Sequence, residues 1–230
     1  MELNPKQQQA VQALMGPVLV LAGAGSGKTR TLTARIAHLI QQAGVLPERI
    51  LAVTFTNKAA EEMRRRVRSN LTEARMWRFP LIGTFHSICA RILREDIHAL
   101  GYNTSFTIFD EDDQLRVLKR VLQDQGIAHD TYHPKKFLHL IERAKREGIG
   151  EDEFQETIGQ AVGSLPGEMG ALVYRSYQEF LKANNALDFG DLLCKVVELW
   201  TKHPAILAKY QKRWEHLLVD EYQDTNRIQY

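Results

Sequence analysis

The chain has 230 residues, 44% of them hydrophobic and 25% charged, which is enough to bury a core and to form one large or two small domains. Its 30 lysines and arginines nearly balance its 28 aspartates and glutamates, so the net charge of +2 does not by itself indicate a nucleic-acid partner. The lack of a membrane-length apolar run and of a signal peptide excludes a membrane span and predicts a cytoplasmic protein.

Four short runs rich in Val, Ile, Leu and Phe predict buried strands, because none of them alternates between apolar and polar residues. They cover residues 17–23, 50–56, 80–85 and 216–221. The first three are each followed by a helical pattern, in the segments GKTRTLTARIAHLIQQAG, NKAAEEMRRRVRSNL and HSICARILREDIHALG. A strand followed by a helix, repeated along the chain, predicts an α/β protein with a parallel sheet.

Between about residues 104 and 186 the pattern changes to successive helices, and no strand is predicted there. One helix is expected to begin after a cap at Asp110 and to end at Gly126. A second is expected between Pro134 and Gly148, and a third in PGEMGALVYRSYQEFLKANN. Because the fourth strand comes only after these helices, the stretch is predicted to be an all-α insertion that interrupts the sheet.

The segment LVLAGAGSGKTRT places glycines after the first predicted strand and a Lys-Thr pair at the start of the next helix. Glycines let backbone N–H groups turn toward a phosphate, the lysine reaches the β and γ phosphates, and the threonine hydroxyl ligates Mg²⁺. The candidate nucleotide-binding residues are Ala22, Gly23, Ala24, Gly25, Ser26, Gly27, Lys28 and Thr29. The pattern G-x-x-x-x-G-K-[ST] asks for glycine where this chain has Ala22, a mild change if the backbone there needs no positive φ. The loop predicts nucleoside triphosphate binding without separating a kinase, a GTPase and a motor, and the alternative is a glycine-rich turn that binds nothing.

Two adjacent acids, Asp220 and Glu221, follow the last predicted strand. An acid at the tip of a buried strand is placed to hold the Mg²⁺ that Thr29 also ligates. A second acid beside it can position and activate the attacking water. We therefore predict Lys28, Asp220 and Glu221 as catalytic and Thr29 and Asp220 as magnesium ligands, although an isolated acid pair is otherwise often a solvated turn. A hydrolytic pair favours an ATPase over a small-molecule kinase.

Five segments, AGAGSGKT, AVTFTNKAAEEM, GTFHS, LDFGDLL and VDEYQDTN, occur in the order and approximate spacing of the superfamily 1 DNA helicases of the UvrD/PcrA/Rep type. LNPKQQQAV resembles the Q motif of that family, whose phosphate loop also tolerates alanine at its first position. The resemblance runs from Leu3 to Tyr230 and is weakest in the helical insertion. It implies a RecA-like P-loop domain in residues 1–103, an α-helical insertion subdomain in 104–186, and the continuation of the RecA-like domain in 187–230.

The resemblance also implies roles for residues outside the loop and the acid pair. Gln7 is expected to face the adenine, since an amide offers a donor and an acceptor to the purine edge, and Arg30 is expected to touch the nucleotide. The residues expected to contact single-stranded DNA are Phe55, Asn57, Lys58, Thr84, His86 and Phe189. Aromatic faces that stack on bases, beside basic and polar groups that bind phosphates, are typical of sequence-independent single-strand binding. The family often has Asp at Gly190, next to Phe189, so the turn there is in question.

Two basic clusters lie outside these segments. Arg64, Arg65, Arg66 and Arg68 follow two glutamates on a predicted helix, which favours a solvated, salt-bridged face over a DNA patch. The second cluster, in the insertion, is a candidate for contacts with duplex phosphates but aligns with no family contact. It consists of Lys135, Lys136, Lys145 and Arg146.

The resemblance implies that the chain is the N-terminal portion of an ATP-dependent helicase that moves 3′ to 5′ on single-stranded DNA and acts at junctions of single- and double-stranded DNA. In this family ATP lies between two RecA-like domains, and the second supplies arginines that contribute about 10³ to 10⁵ in rate. That second domain is expected to follow Tyr230 in a longer protein. Two alternatives remain: a module that binds Mg·ATP and single-stranded DNA weakly without turnover, and part of a helicase-nuclease subunit.

Overall fold

The computed structural model describes residues 3–23, 25–71, 78–128, 132–154, 156 and 167–230. These residues divide into two compact units, one formed by Met1–Ile88 and Ala208–Asp224 and the other by Cys89–Leu207 and Thr225–Tyr230. The predicted division into 1–103, 104–186 and 187–230 stays a prediction. No helix in the described part of the chain combines the length and the apolar character needed to cross a membrane.

The regular elements are numbered here in chain order. The helices are α1 (Pro5–Gln12), α2 (Lys28–Gln41), α3 (Asn57–Asn70), α4 (Phe85–Asp96), α5 (Glu111–Asp124), α6 (Pro134–Arg146), α7 (Gly167–Ala183), α8 (Phe189–Lys202) and α9 (Pro204–Arg213). The strands are β1 (Ile50–Thr54), β2 (Leu81–Thr84), β3 (Thr107–Phe109), β4 (Ala186–Asp188) and β5 (His216–Val219). Short 3₁₀ turns cover Pro47–Arg49, Ile97–Leu100 and Tyr222–Asp224.

A three-stranded parallel sheet lies in the first unit, in the order β2-β1-β5. Thr54 of β1 pairs with Thr84 of β2, and Val53 of β1 pairs with Val219 of β5, so all three strands end at one edge of the sheet. The whole of β1 is buried. It packs in a core with the apolar faces of α2 and α3, which include Ile36, Leu39, Ile40, Met63 and Val67. The predicted parallel α/β fold is confirmed.

The predicted strand at residues 17–23 is wrong. The segment has no regular secondary structure, and its apolar side chains from Val18 to Leu21 are exposed, Leu21 by 87%. A strand exists only through backbone hydrogen bonds to a neighbour, and the three strands of the first unit pair only with one another among the described residues. Apolar composition therefore indicated a segment suited to burial, but composition does not supply a pairing partner.

The second unit contains two short strands that the sequence analysis missed, since it predicted no strand between 104 and 186. β3 and β4 pair in parallel, with Thr107 opposite Ala186 and Phe109 opposite Asp188. Each has only three residues, which is too short to show a period in the sequence. The predicted helices are confirmed, including the Asp110 cap of α5. Their buried faces form a core that includes Leu118, Leu122, Phe137, Ile141, Tyr174 and Tyr177.

Candidate nucleotide and DNA site

The phosphate-loop segment leaves the start of α2 open to an anion. Gly27 is the N-cap residue of α2 with φ +89°, a left-handed conformation that favours glycine, and no side chain caps the helix. The first backbone N–H groups of a helix lack intrahelical acceptors, so they can bind a phosphate. A Cβ at Gly27 would also lie 3.1 Å from Gln7 Nε2. The geometry fits a triphosphate, although Ala24 lies outside the described residues.

The lysine of the loop lies beside the acid pair. Lys28 Nζ is 3.9 Å from Glu221 Oε2 and donates a hydrogen bond of 3.3 Å to the carbonyl of Ala22. Ser26 closes the turn before it, since its hydroxyl donates to the Gly23 carbonyl at 2.6 Å. Residues almost 200 positions apart in sequence are thus brought to one place. Phosphate oxygens would replace the partners that Lys28 has here.

The acid pair sits at the end of β5 in two different environments. Asp220 is only 6% exposed, and its backbone N–H donates to the Val53 carbonyl at 2.9 Å, which extends the ladder between β5 and β1. Burial, followed by the neighbouring charge of Glu221, raises the pKa of the Asp220 carboxyl. Glu221 has φ +51°, a strained value for a residue other than glycine, and strain of this kind concentrates at functional sites.

The residues present fit a magnesium ion. Mg²⁺ binds hard oxygen ligands and usually takes one or two carboxylates together with substrate phosphates and water. Asp220 offers a buried carboxylate whose pKa is raised, so a nearby cation would favour its ionised form. Thr29 offers a hydroxyl in the first turn of α2. Bound there, the ion would neutralise charge on the phosphates.

Gln7, predicted to face the adenine, ties α1 to the phosphate loop. Its Nε2 donates to the Ser26 carbonyl at 2.9 Å, and its Oε1 accepts from Arg30 at 3.1 Å. The same Oε1 accepts from the backbone N–H of Asn4, whose side chain accepts from Gln7 N in return. This capping box was missed, although an Asn followed three residues later by Gln is its sequence signal. The adenine contacts of Gln7 and Arg30 remain predictions.

Two aromatic rings meet where β1 and β2 end. Phe55 and Phe85 directly follow the register partners Thr54 and Thr84, and their ring centroids are 5.4 Å apart with planes tilted by 57°. Phe55 is partly buried, so part of its surface stays open to a ligand. Sequence reasoning missed Phe85, whose position after the next strand was the available signal. The predicted stacking of Phe55 on a base remains a prediction.

The polar DNA candidates of the first unit differ in accessibility. Asn57 and Lys58 are exposed in the first turn of α3. Thr84 is 8% exposed, and its hydroxyl accepts from the backbone N–H of Ser87 at 3.2 Å. Burial lowers the pKa of His86, so this imidazole is neutral near pH 7 and would offer a hydrogen bond rather than a charge.

Phe189 is the first residue of α8 in the second unit and is 52% exposed. The turn beside it is regular despite Gly190, because Asp188 caps the helix and forms a capping box with Asp191. Lys145, a member of the second basic cluster, is buried with 3% of its side chain exposed, so it is not available for a contact with duplex phosphates. The salt-bridged arginine face is confirmed by ion pairs of Arg64 with Glu61 and of Arg66 with Glu62.

The parallel sheet with a phosphate loop and a buried acid at a strand end defines the class as an α/β, RecA-like P-loop domain. The chain belongs to the UvrD/REP helicase family, whose N-terminal domain model matches residues 3–230. It is 45% identical over 230 residues to the ATP-dependent DNA helicase PcrA of Bacillus subtilis (strain 168), covering 99% of this chain and 30% of that protein. It is 46% identical over 231 residues to a probable DNA helicase II homolog of Rickettsia felis (strain ATCC VR-1525 / URRWXCal2), covering 99% of this chain and 34% of that protein. The chain thus spans about a third of the length of these curated relatives.

Proposed function

We propose that the chain is the N-terminal part of an ATP-dependent DNA helicase that couples ATP hydrolysis to 3′-to-5′ movement on single-stranded DNA. The observation that carries the proposal is the 3.9 Å approach of Lys28 to Glu221 beside the uncapped start of α2. This arrangement combines a phosphate site with a pair of acids. The relatives of the chain include proteins named as ATP-dependent DNA helicases. We also propose that the protein is cytoplasmic.

In this proposal different residues of the first unit bind the phosphates, hold the metal ion and activate the attacking water. The N-terminus of α2 and Lys28 hold the phosphates and offset their charge. Thr29 and Asp220 would hold Mg²⁺, which would neutralise negative charge on the phosphates. Glu221 orients the attacking water and accepts its proton, for which its carboxylate must be ionised.

The DNA side of the proposal rests on aromatic and polar groups at strand ends. Phe55 offers a ring face to a base, while Asn57, Lys58, Thr84 and His86 would contact the strand's backbone. Phe189 is assigned a second stacking position in the other unit. The preferred substrates are single-stranded DNA and its junctions with duplex DNA, as the family resemblance implies.

A second candidate function is a module that binds Mg·ATP and single-stranded DNA without turnover. It is supported by the uncapped start of α2 and the partly open Phe55 ring, each of which can bind a ligand without a catalytic step. Arginines from a second RecA-like domain would then be needed for hydrolysis, and they contribute about 10³ to 10⁵ in rate where such groups have been tested.

The deciding experiment is steady-state ATP hydrolysis by the 230-residue chain with and without oligo-dT. Hydrolysis that the oligonucleotide stimulates would support a DNA-dependent motor domain. No hydrolysis, with ATP and oligo-dT binding measured as intact, would support the binding module. Loss of both binding activities would contradict both candidates.

Replacing Phe55 with alanine is expected to weaken oligo-dT binding by about 1 to 3 kcal/mol, because stacking on an aromatic ring is worth that much per base. Fluorescence anisotropy with a labelled oligonucleotide measures the affinity. Phe79→Ala is the matched control, since Phe79 is also partly buried and packs against the core of the same unit beneath Arg68. A Phe55→Ala protein that loses thermal stability but keeps its affinity would make Phe55 a core residue.

A further inference from the structure

A buried charged cluster in the second unit has no role in the function proposed so far. The Lys145 ammonium lies 2.6 Å from Asp188 Oδ2 and 2.7 Å from Asp191 Oδ1, and donates to Gln178 Oε1 at 3.1 Å. Tyr177 donates its hydroxyl proton to Asp188 Oδ2 at 2.9 Å. The side chains of Lys145, Asp188 and Asp191 are 3% exposed or less. A buried lysine is thus shared between two buried carboxylates.

The same carboxylates form the beginning of α8. Asp188 Oδ1 accepts from the backbone N–H of Asp191 at 2.9 Å, and Asp191 Oδ2 accepts from the backbone N–H of Asp188 at 3.1 Å. Each carboxylate therefore holds the helix start with one oxygen and Lys145 with the other. Phe189 and Gly190 lie between these two residues in the sequence, so both ends of the turn that carries Phe189 are bonded to Lys145.

Gly190 provides the space for this arrangement. A Cβ at Gly190 would lie 2.8 Å from Lys145 Cδ and 3.1 Å from Lys145 Cβ, so the aliphatic stem of the lysine lies directly against the glycine. Real Cβ atoms do not approach other carbons as closely as 2.8 Å, so a side chain there would displace Lys145. The capping box of Asp188 and Asp191 fixes the backbone of this turn, and the stem of Lys145 packs against it at Gly190.

The electrostatics require the lysine to stay in place. Burial acts to raise the pKa of Asp188, but the charge of Lys145 outweighs it and keeps the pKa below its usual range. Burial and the charge of Asp188 raise the pKa of Asp191. Removing one partner of a buried ion cluster leaves charge uncompensated, which is strongly unfavourable. Without Lys145 the two carboxylates would repel each other at the first turn of α8.

We propose that Lys145 is a positioning residue that acts through Asp188, Asp191 and Gly190 to hold Phe189 in the orientation that stacks on a DNA base. The inference rests on the proposed DNA contact of Phe189. Through Lys145, helix α6 of the insertion would then contribute to single-strand binding although Lys145 itself does not contact DNA.

The test is a double-mutant cycle of Lys145→Met and Phe189→Ala, with oligo-dT affinity measured by fluorescence anisotropy. Phe189→Ala is expected to lose about 5- to 150-fold in affinity, since one stacked base is removed. Lys145→Met is expected to lose about 2- to 150-fold, as is typical of coupling within one hydrogen-bond and ion-pair network. The double variant is expected to bind no more weakly than Phe189→Ala alone, and the affinity for ATP should not change in any of the three.

The outcomes separate the inference from the function on which it rests. A loss in Phe189→Ala with none in Lys145→Met, or losses that add in the double variant, overturns the inference alone. Unchanged affinity in Phe189→Ala removes the DNA contact of Phe189 and the inference with it. If Lys145 were purely structural, Lys145→Met would lower DNA affinity by the same factor whether residue 189 is Phe or Ala. That is the additive result, and it overturns the inference.

Gly190→Ala keeps the inference testable if Lys145→Met does not fold. The new Cβ displaces the Lys145 stem but removes no charge. Gly150→Ala is the matched control, because Gly150 is in the same unit and nothing lies within 4 Å of its Cβ position. Gly190→Ala is expected to bind oligo-dT more weakly than Gly150→Ala, and equal affinities would overturn the inference.

Discussion

Lys28→Ala is expected to abolish ATP binding at ordinary nucleotide concentrations. The substitution removes the side-chain cation at the open start of α2, where the phosphates would displace its present contacts with Glu221 and the Ala22 carbonyl. Bound phosphates would cover Lys28 and make it one partner of a buried, hydrogen-bonded charge pair. Truncating one partner of such a pair costs about 2 to 5 kcal/mol, which corresponds to about 30- to 5,000-fold in affinity. Titration with a fluorescent ATP analogue in the presence of Mg²⁺ measures the loss.

Lys58→Ala is the control for this prediction. Lys58 is an exposed lysine in the first turn of α3, so it matches Lys28 in residue type and helix position. Its replacement is expected to leave ATP affinity unchanged and to weaken oligo-dT binding. Undiminished ATP affinity in Lys28→Ala would refute the assignment of the loop, whatever happens to DNA binding.

Glu221→Gln is expected to lower ATP hydrolysis by about 10²- to 10⁴-fold while Mg·ATP binding persists. The amide cannot accept the proton of the attacking water, and positioned general bases contribute a factor of that size. Glutamine has nearly the same shape, and the backbone carbonyl of residue 221 would still accept from Asp224 N, so the strained turn is expected to persist. A phosphate-release assay gives the rate, and nucleotide titration shows that binding is retained.

Asp224→Asn separates this role from a general effect of charge. Asp224 is an exposed acid on the 3₁₀ turn that follows Glu221, so its neutralisation changes the charge of the same segment. Hydrolysis by this control should match that of the unchanged chain. If Glu221→Gln hydrolyses ATP as fast as Asp224→Asn does, Glu221 is not the general base.

The elements that could be predicted from the sequence are those with a local signal. Strands β1, β2 and β5 are apolar runs, α5 has its predicted cap at Asp110, α6 begins at Pro134 as predicted, and a glycine follows the end of each of these two helices. The Lys28-Thr29 pair at a helix start and the Asp220-Glu221 pair at a strand end are recognisable because their chemistry requires those residue types there. The fold class followed from the repeated order of strand and helix, which the parallel pairing confirms.

The errors occurred where a feature depends on a distant partner. Residues 17–23 have the composition of a strand but pair with no other strand in the described part of the chain. β3 and β4 have only three residues each and exist because they pair with each other across nearly 80 positions. Lys145 is a lysine on an amphipathic helix, a position usually read as solvent-facing, yet two distant carboxylates hold it inside.

The sequence by itself determined helices α2 to α7, strands β1, β2 and β5, the class of the fold and the residue types of the nucleotide site, because local hydrogen bonding and side-chain chemistry are encoded within a few residues. Only the tertiary structure decided that Glu221 meets Lys28, that Phe85 joins Phe55, and that Gly190 accommodates Lys145. These contacts join residues far apart in the chain. Their formation depends on packing and on the pairing of buried charges, which no short stretch of sequence specifies.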